Sequence, residues 1–344
     1  RVLFRSQKSK CVPTSFPSPI LLKPQNRHMR TIYLAIVTCV YSLLNGDVLT
    51  AADVPDTPYI LVLGTAQDGG YPQAGCEKQC CQSLRSSRTT GSHVTSLGII
   101  DPISKQRWII DCTPDFPAQL SLLDKYAPIN QKRKPVSGIF LTHAHVGHYA
   151  GLINLGREIM GTQGVPVSTM PRCKNFLETQ GPWSLLVKLN NITLLPLKAD
   201  EPITLNSRLT ITPFLVPHRD EFSETVGFII AGPNRKVLFI PDIDKWEKWD
   251  RRIEQQITSV DRAYLDGTFF DNAELPGRDI SQIPHPFISE SITRFAKLPD
   301  SQRDKVHFIH LNHTNAALQP NSHAQRTVAK AGMHIAQQFS IFKL

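Results

Sequence analysis

The chain has 344 residues, of which 41% are hydrophobic and 19% are charged, so it is long and apolar enough to bury a globular core. Its formal net charge is +9, but residues 1–30 hold seven lysines and arginines and no acid, and 9 − 7 leaves +2 for residues 31–344. A nearly neutral folded part offers no basic footprint for a nucleic acid, so we expect no nucleic-acid partner.

The first 52 residues predict a leader. Residues 1–28 form a basic extension that we expect to be disordered. Residues 29–52 begin with Met29-Arg30, continue with an apolar run of 14 residues and end near small residues, which is typical of a secretory signal peptide. The alternative is an N-terminal membrane anchor or a helix packed on the domain, since the run is shorter than the ~20 residues of a spanning helix. A signal peptide implies export to the periplasm or the cell exterior, and its absence implies the cytoplasm. We expect no other membrane contact.

Residues 57–344 predict one domain in which strands alternate with helices. Runs rich in β-branched and aromatic residues predict strands at 59–64, 93–100, 106–111, 137–142, 209–218, 225–232, 235–242, 262–267 and 305–313. Helical periodicity and composition predict helices at 147–161, 246–258, 287–297 and 321–331. Several of the strands end in a residue that can bind a metal, which favours an α/β sandwich with its site along one sheet edge.

The segment LTHAHVGH places three histidines directly after the strand 137–142. His143 and His145 are two residues apart, so both imidazoles can face one cation. His148 begins the next helix and can reach a second cation. Neutral imidazole favours zinc, copper, nickel or iron. The residue before His148 is Gly147, at a position where a carboxylate would be expected.

This pattern resembles the HxHxDH signature of the metallo-β-lactamase superfamily, and the resemblance continues through WIIDCTPD, LVPHRDEFSETVGFII, VLFIPD and HFIHLNH. It implies an αββα metallo-β-lactamase-type sandwich with its metals at one edge. The first metal would be held by His143, His145 and His218. The second would be held by His148, Asp242 and His310, with Asp242 bridging the two metals. Asp111, at the end of an early strand, would orient the histidine loop.

The opening segment VLGTAQDGGYPQAGCEKQCC is similar to that of the pyrroloquinoline quinone biosynthesis B proteins and of the cyclic phosphodiesterases of the carbon–phosphorus lyase pathway. This likeness implies a structural zinc held by Cys76, Cys80, Cys81 and His313, although the cysteine spacing departs from the usual C-x-C-x-x-C. A closed tetrahedral zinc would pin the loop 65–82 to the strand 305–313. A disulfide or free thiols are the alternative.

The glycine at position 147 removes one ligand that the resemblance assigns to the second metal. The site can hold one tight and one weak zinc, recruit another acid, or hold a single metal. The candidate acids are Asp68, Asp220 and Glu221. If the gap weakens the second metal, Gly147→Asp should raise the zinc content by at most one ion per chain.

The resemblance implies a zinc-dependent hydrolase in which a metal-bound hydroxide attacks an electrophilic phosphorus or carbonyl group. Asp242 and His310 are the residues assigned to catalysis. Phosphodiesters and cyclic phosphates come first as substrates, followed by lactones and β-lactams. We expect one or two catalytic zinc ions and one structural zinc, with iron or manganese as alternatives at the catalytic site.

Two other functions remain open at this stage. One is a non-hydrolytic metal oxidase or oxygenase in the biosynthesis of the cofactor pyrroloquinoline quinone (PQQ). The other is a carrier protein whose metal is only structural. Each takes a small molecule as its partner, and the sequence leaves the oligomeric state open.

Overall fold

The structure is a computed structural model that describes residues 55–86, 91–129, 134–279 and 282–344. The predicted basic extension at 1–28 lies outside the described residues, and so does the predicted signal peptide or anchor at 29–52. Within the described ranges, no helix is long and apolar enough to cross a membrane.

Two seven-stranded sheets dominate the described part of the chain. The first has the strand order β14-β1-β2-β3-β4-β5-β6 and consists of β1 (Tyr59–Gly64), β2 (Ser96–Asp101), β3 (Gln106–Ile110), β4 (Gly138–Phe140), β5 (Val165–Thr169), β6 (Ile192–Pro196) and β14 (Ile341–Lys343). The second has the order β13-β12-β11-β10-β9-β8-β7 and consists of β7 (Ile203–Asn206), β8 (Leu209–Leu215), β9 (Val226–Ala231), β10 (Lys236–Ile240), β11 (Arg262–Asp266), β12 (Val306–Ile309) and β13 (His334–Ile335).

The parallel strands of each sheet determine where polar residues collect. Strands β3, β4 and β5 run parallel to one another, and so do β10, β11 and β12. The carboxyl ends of parallel strands meet at one edge, so the residues that follow them lie close together. Asp111 follows β3, Asp242 lies two residues after β10, and His310 follows β12. The strand order therefore brings these side chains to one end of the sandwich.

Helices cover the outer faces of the sheets. In the described ranges the α-helices are α1 (Gln79–Ser86), α2 (Phe116–Tyr126), α3 (Val146–Tyr149), α4 (Pro171–Thr179), α5 (Trp183–Lys188), α6 (Ile253–Thr258), α7 (Ile288–Phe295), α8 (Asp300–Arg303) and α9 (His323–Lys330). Helix α7 buries Ile288, Ser291 and Phe295, whose spacing places them on one face. Its N-terminus is capped by Glu290, whose carboxylate accepts a hydrogen bond from the Phe287 amide at 2.9 Å.

The αββα layering predicted from the resemblance is confirmed by the core. Along β10, Val237 and Phe239 face the first sheet, where they pack with Ile110 and Phe140. The alternate residues Leu238 and Ile240 face outward and join the side chains of α6, α7 and α9. Because side chains in a strand alternate between faces, this one strand contributes to both cores. Each large apolar side chain buried here contributes about 1.5–3 kcal/mol.

The predicted helix at 147–161 is wrong beyond its first turn. The structure has the four-residue helix α3 and then a 3₁₀ helix over Ala150–Leu155. The Gly151 amide donates a hydrogen bond to the Cys112 carbonyl at 2.9 Å, which removes it from an α-helical ladder. A Cβ at Gly151 would lie 2.0 Å from the Thr113 carbonyl oxygen, so only glycine allows this close approach. The predicted helix at 246–258 is likewise divided, into a 3₁₀ turn at Trp246–Lys248 and α6.

Candidate metal centre

Four overlapping groups of potential metal ligands lie at the shared edge of the two sheets. In each group the ligand atoms of the described residues lie within 4.8 Å of one another. The groups are His143, His145 and His218; Asp68, His148 and His310; His143, His148 and Asp242; and His218, Asp242 and His285. The structure therefore brings together the six residues predicted for the catalytic metals, and it adds Asp68 and His285. Metal binding by these residues stays a prediction.

The first metal position is defined by His143, His145 and His218. The Nε2 atom of His143 lies 2.9 Å from Nδ1 of His145. The His218 side chain is fully buried, and neither of its ring nitrogens has a hydrogen-bond partner. Burial lowers the pKa of His143 well below its usual value and that of His218 to about 4. Both rings are therefore neutral at pH 7, which is the form that binds a cation.

The second metal position is defined by His148, His310 and two carboxylates. Asp242 Oδ2 lies 2.9 Å from His148 Nε2 and 3.2 Å from His310 Nε2. Asp68 Oδ1 lies 3.3 Å from His148 Nε2 and 3.7 Å from His310 Nε2. The other oxygen of Asp242 faces the first position, at 3.8 Å from His218 Nε2. Asp242 thus stands between the two positions, as a bridging ligand must.

Several buried polar atoms of this site have no hydrogen-bond partner, and a bound cation would interact with them favourably. Oδ1 of Asp68, Oδ2 of Asp242 and Nε2 of both His148 and His310 are buried without a hydrogen-bond partner. Each unsatisfied buried polar group costs about 1–3 kcal/mol. Here such groups converge from several elements on the same space, and they comprise imidazole nitrogens and carboxylate oxygens. These donors fit two divalent metals such as zinc.

The same arrangement of hydrogen bonds orients a ligand ring at each sheet. After β4, the Thr142 hydroxyl donates to Asp111 at 2.9 Å, so its oxygen accepts from Nδ1–H of His143 at 3.0 Å. After β11, the Thr268 hydroxyl donates to Asp266 at 2.7 Å, so its oxygen accepts from Nδ1–H of His310 at 3.0 Å. In both cases Nε2 is left to face the metal positions.

Two further carboxylates hold the remaining rings. Asp111 accepts a hydrogen bond from Nδ1–H of His148 at 2.7 Å, as the predicted orienting role requires. Glu221 accepts one from Nε2–H of His145 at 3.0 Å and so leaves the Nδ1 atom for the first metal. Asp111 and His310 have positive φ angles of 66° and 64°, which cost about 1–3 kcal/mol each for a non-glycine residue. The fold thus accepts backbone strain on both sides of this site.

His285 is a site residue that sequence reasoning missed. Its Nδ1–H donates to Asp266 at 2.8 Å and lies 3.5 Å from Asp242 Oδ1. It comes from the irregular segment between β11 and α7, where no periodic pattern marks it. In the sequence, Asp266 near the end of the predicted strand 262–267 was the one feature that pointed to this part of the site.

The three candidate replacements for the missing acid lie in different places. Asp68 stands with His148 and His310 at the second position. Glu221 binds His145 on the outer side, and Asp220 accepts a hydrogen bond from the Thr225 hydroxyl at 3.0 Å. A Cβ at Gly147 would lie 2.0 Å from Asp68 Oδ1, so any side chain at position 147 would overlap with the carboxylate of Asp68.

Three of the four residues predicted to bind a structural zinc lie close together. The sulfurs of Cys76, Cys80 and Cys81 lie within 4.8 Å of one another, and all three are free thiols. The Gln73 amide donates to the Cys81 sulfur at 3.4 Å. His313 is not in this group, and its Nδ1 is 2.9 Å from Asn312 Oδ1. Burial and the nearby Lys78 charge lower the pKa of His313, so a neutral ring lies beside the cysteine loop. Its assignment as the fourth ligand stays a prediction.

Comparisons with known proteins agree with this fold. Residues 106–317 match the family described as "Beta-lactamase superfamily domain". Over 298 residues the chain is 25% identical to the coenzyme PQQ synthesis protein B of Xanthomonas campestris pv. campestris, and the match covers 80% of this chain and 97% of that protein.

Two solved structures share the fold. Zinc-bound PqqB from Methylobacterium extorquens has a TM-score of 0.70 at 19% identity, covering 83% of this chain and 100% of that one. A diphosphatase from the PhnP family has a TM-score of 0.60 at 19% identity, covering 83% of this chain and 97% of that one.

Proposed function

We propose that this chain, which belongs to the family described as "Beta-lactamase superfamily domain", is a zinc-dependent hydrolase. The observation that carries the proposal is the pair of metal positions on either side of Asp242. Zinc bound there would supply Lewis acidity and water whose pKa is lowered to about 7. The remaining steps follow from the residues of the chain.

One side of the site is open to a substrate. The side chains of His143, His148 and His310 are at most 1% exposed, whereas that of Asp68 is 32% and that of His145 15% exposed. A small molecule can therefore approach from the side of the latter two residues.

The residues of the chain have separate roles in this proposal. Asp242 holds both halves of the centre in register, and His310 orients the second half. His285, paired with Asp266, can hold a proton beside the site and give it to the leaving group. Asp266 keeps the His285 ring in one orientation and stabilises its protonated form.

A phosphodiester is the substrate class that this charge arrangement supports. Asp68 and Asp242 are the two carboxylates among the residues that would hold the metals, so a centre filled by two divalent ions would keep a net positive charge. Such a centre would stabilise an anionic phosphoryl group and the charge that develops on its attacking and leaving oxygens. The fold shared with a PhnP-family diphosphatase is consistent with this choice.

A second candidate function is a metal oxidase or oxygenase, or a carrier, in PQQ biosynthesis. The likeness to the coenzyme PQQ synthesis protein B of X. campestris along 97% of its length supports it. Asp68, His148 and His310 also form a set of two histidines and one carboxylate, which iron(II) accepts in oxygenases. Iron in the natively purified protein, together with oxygen consumption, would favour this function over hydrolysis.

The test of the hydrolase proposal is His145→Ala, which removes the more exposed ligand of the first position. We expect hydrolysis of bis(p-nitrophenyl) phosphate to fall by on the order of 10²-fold or more, because the variant loses the metal that stabilises the transition state. The circular dichroism spectrum should match that of the wild type. Unchanged turnover by a correctly folded variant would contradict the hydrolase assignment.

A further inference from the structure

We infer that Asp68, on the loop after β1, supplies the carboxylate of the second metal position, and that Gly147 leaves the space that this aspartate occupies. The inference rests on the proposed function in that it assumes a metal at His148 and His310. It names a ligand that lies outside the histidine motif, at a distance of 79 residues along the chain from position 147.

The packing of residue 147 against residue 68 leaves no room for an acidic side chain at both. An ideal Cβ at position 147 would lie 2.0 Å from Oδ1 and 2.6 Å from Cα of Asp68. Contacts below 3.0 Å require a shift, and the second of these atoms belongs to the backbone, which cannot turn aside as a side chain can. Any residue with a side chain at 147 would therefore displace the loop that carries Asp68. Asp68 can therefore occupy its place only while residue 147 is glycine.

The loop holds Asp68 in place relative to its partner ligand His310. The Gln67 amide donates to the Leu311 carbonyl at 2.9 Å, and the Leu311 amide donates to the Thr65 carbonyl at 2.8 Å. Leu311 directly follows His310, so these two hydrogen bonds tie the residues before Asp68 to the residue after the histidine. A turn closed by the Gly70 amide on the Gln67 carbonyl, at 2.8 Å, then directs the aspartate toward the site.

The aspartate also has the contacts of a ligand. Its Oδ1 atom is buried and has no hydrogen-bond partner, although it lies 3.3 Å from His148 Nε2. The other two candidate acids are already engaged, Glu221 with His145 and Asp220 with Thr225.

The experiment measures bound zinc rather than turnover. Wild type, Asp68→Asn and the matched control Asp220→Asn are loaded with zinc, dialysed and counted by mass spectrometry, and zinc affinity is measured by competition with a chromogenic chelator. We expect Asp68→Asn to lose one zinc per chain, with that ion bound on the order of 100-fold more weakly or worse, since even outer-sphere changes cost 10–100-fold. Asp220→Asn should match the wild type in both measurements.

Gly147→Ala tests the spatial part of the inference. Alanine neither adds nor removes a ligand, yet it should lower zinc content as Asp68→Asn does, because its methyl group displaces Asp68. In the Asp68→Asn background it should have little further effect on zinc affinity. Gly147→Asp, which restores the acid of the family motif, should lower the zinc content. This reverses the gain of one ion expected from the motif alone.

Full zinc content with wild-type affinity in Asp68→Asn overturns the inference, and so does wild-type affinity in Gly147→Ala. Melting curves of the metal-free proteins show whether each variant folds. If Asp68→Asn melts early, Asp68→Ser is measured in its place, with the same loss of one zinc expected. Loss of zinc without any hydrolytic activity in the wild type would leave this inference standing and remove only the proposed function.

Discussion

Asp242→Asn is expected to release both catalytic zinc ions and to lower hydrolysis by on the order of 10³-fold or more. The carboxylate faces ligands of both positions, at 2.9 Å from His148 Nε2 and 3.8 Å from His218 Nε2. Asparagine keeps the shape but has no negative charge with which to bridge two cations. Zinc content and turnover of bis(p-nitrophenyl) phosphate are measured on the same preparation.

Asp244→Asn is the matched control for this prediction. Asp244 lies two residues further on, and its carboxylate pairs with Lys248 at 2.8 Å outside the site. It should keep wild-type zinc content and turnover. If Asp242→Asn retains both metals, Asp242 does not bridge them and the two-metal description is wrong.

His313→Ala and Cys81→Ser are each expected to release one zinc and to lower the melting temperature by roughly 10 °C. A structural zinc contributes directly to the free energy of folding, because the unfolded chain has no preformed site. Activity should fall mainly through instability. His310→Ala should have the opposite effect, with activity lost and the melting temperature of the metal-free protein nearly unchanged. Differential scanning calorimetry and a zinc count on each variant provide the test.

Cys173→Ser controls for the loss of a buried thiol, since Cys173 is 0% exposed and belongs to none of the ligand groups of the described residues. It should keep its zinc. If Cys81→Ser releases a zinc but His313→Ala does not, the cysteines bind the metal with a different fourth ligand. If both variants melt and bind zinc as the wild type does, there is no structural zinc, and the thiols have another role.

The sequence allowed the strands around the site to be predicted because apolar runs there end in single polar residues. The runs before His143, Asp242 and His310 are short, β-branched and bounded by turns, so both the strand and the residue that leaves its carboxyl end could be recognised. The superfamily resemblance then ordered these strands into two layers. The β-lactamase superfamily match and the αββα arrangement confirm that prediction.

The rest depended on contacts between residues far apart in the chain. Asp68 was one of three candidate acids in the sequence, and its contacts with His148 and His310 place it at the second position. His285 lies in an irregular segment, and its partner Asp266 is identified only once β11 is set beside β10 and β12. The short strands β13 and β14 at the ends of the sheets are stabilised by pairing and carry too little local pattern to predict.

The central claim is tested most directly by returning zinc to the wild-type protein. A chelator first removes the catalytic metal under conditions that leave the melting temperature unchanged, and zinc is then added in steps while bis(p-nitrophenyl) phosphate hydrolysis and bound zinc are recorded together. We predict no turnover in the depleted protein and a rise that saturates when the catalytic positions are filled. Zinc that fills these positions without producing any hydrolysis would contradict the account.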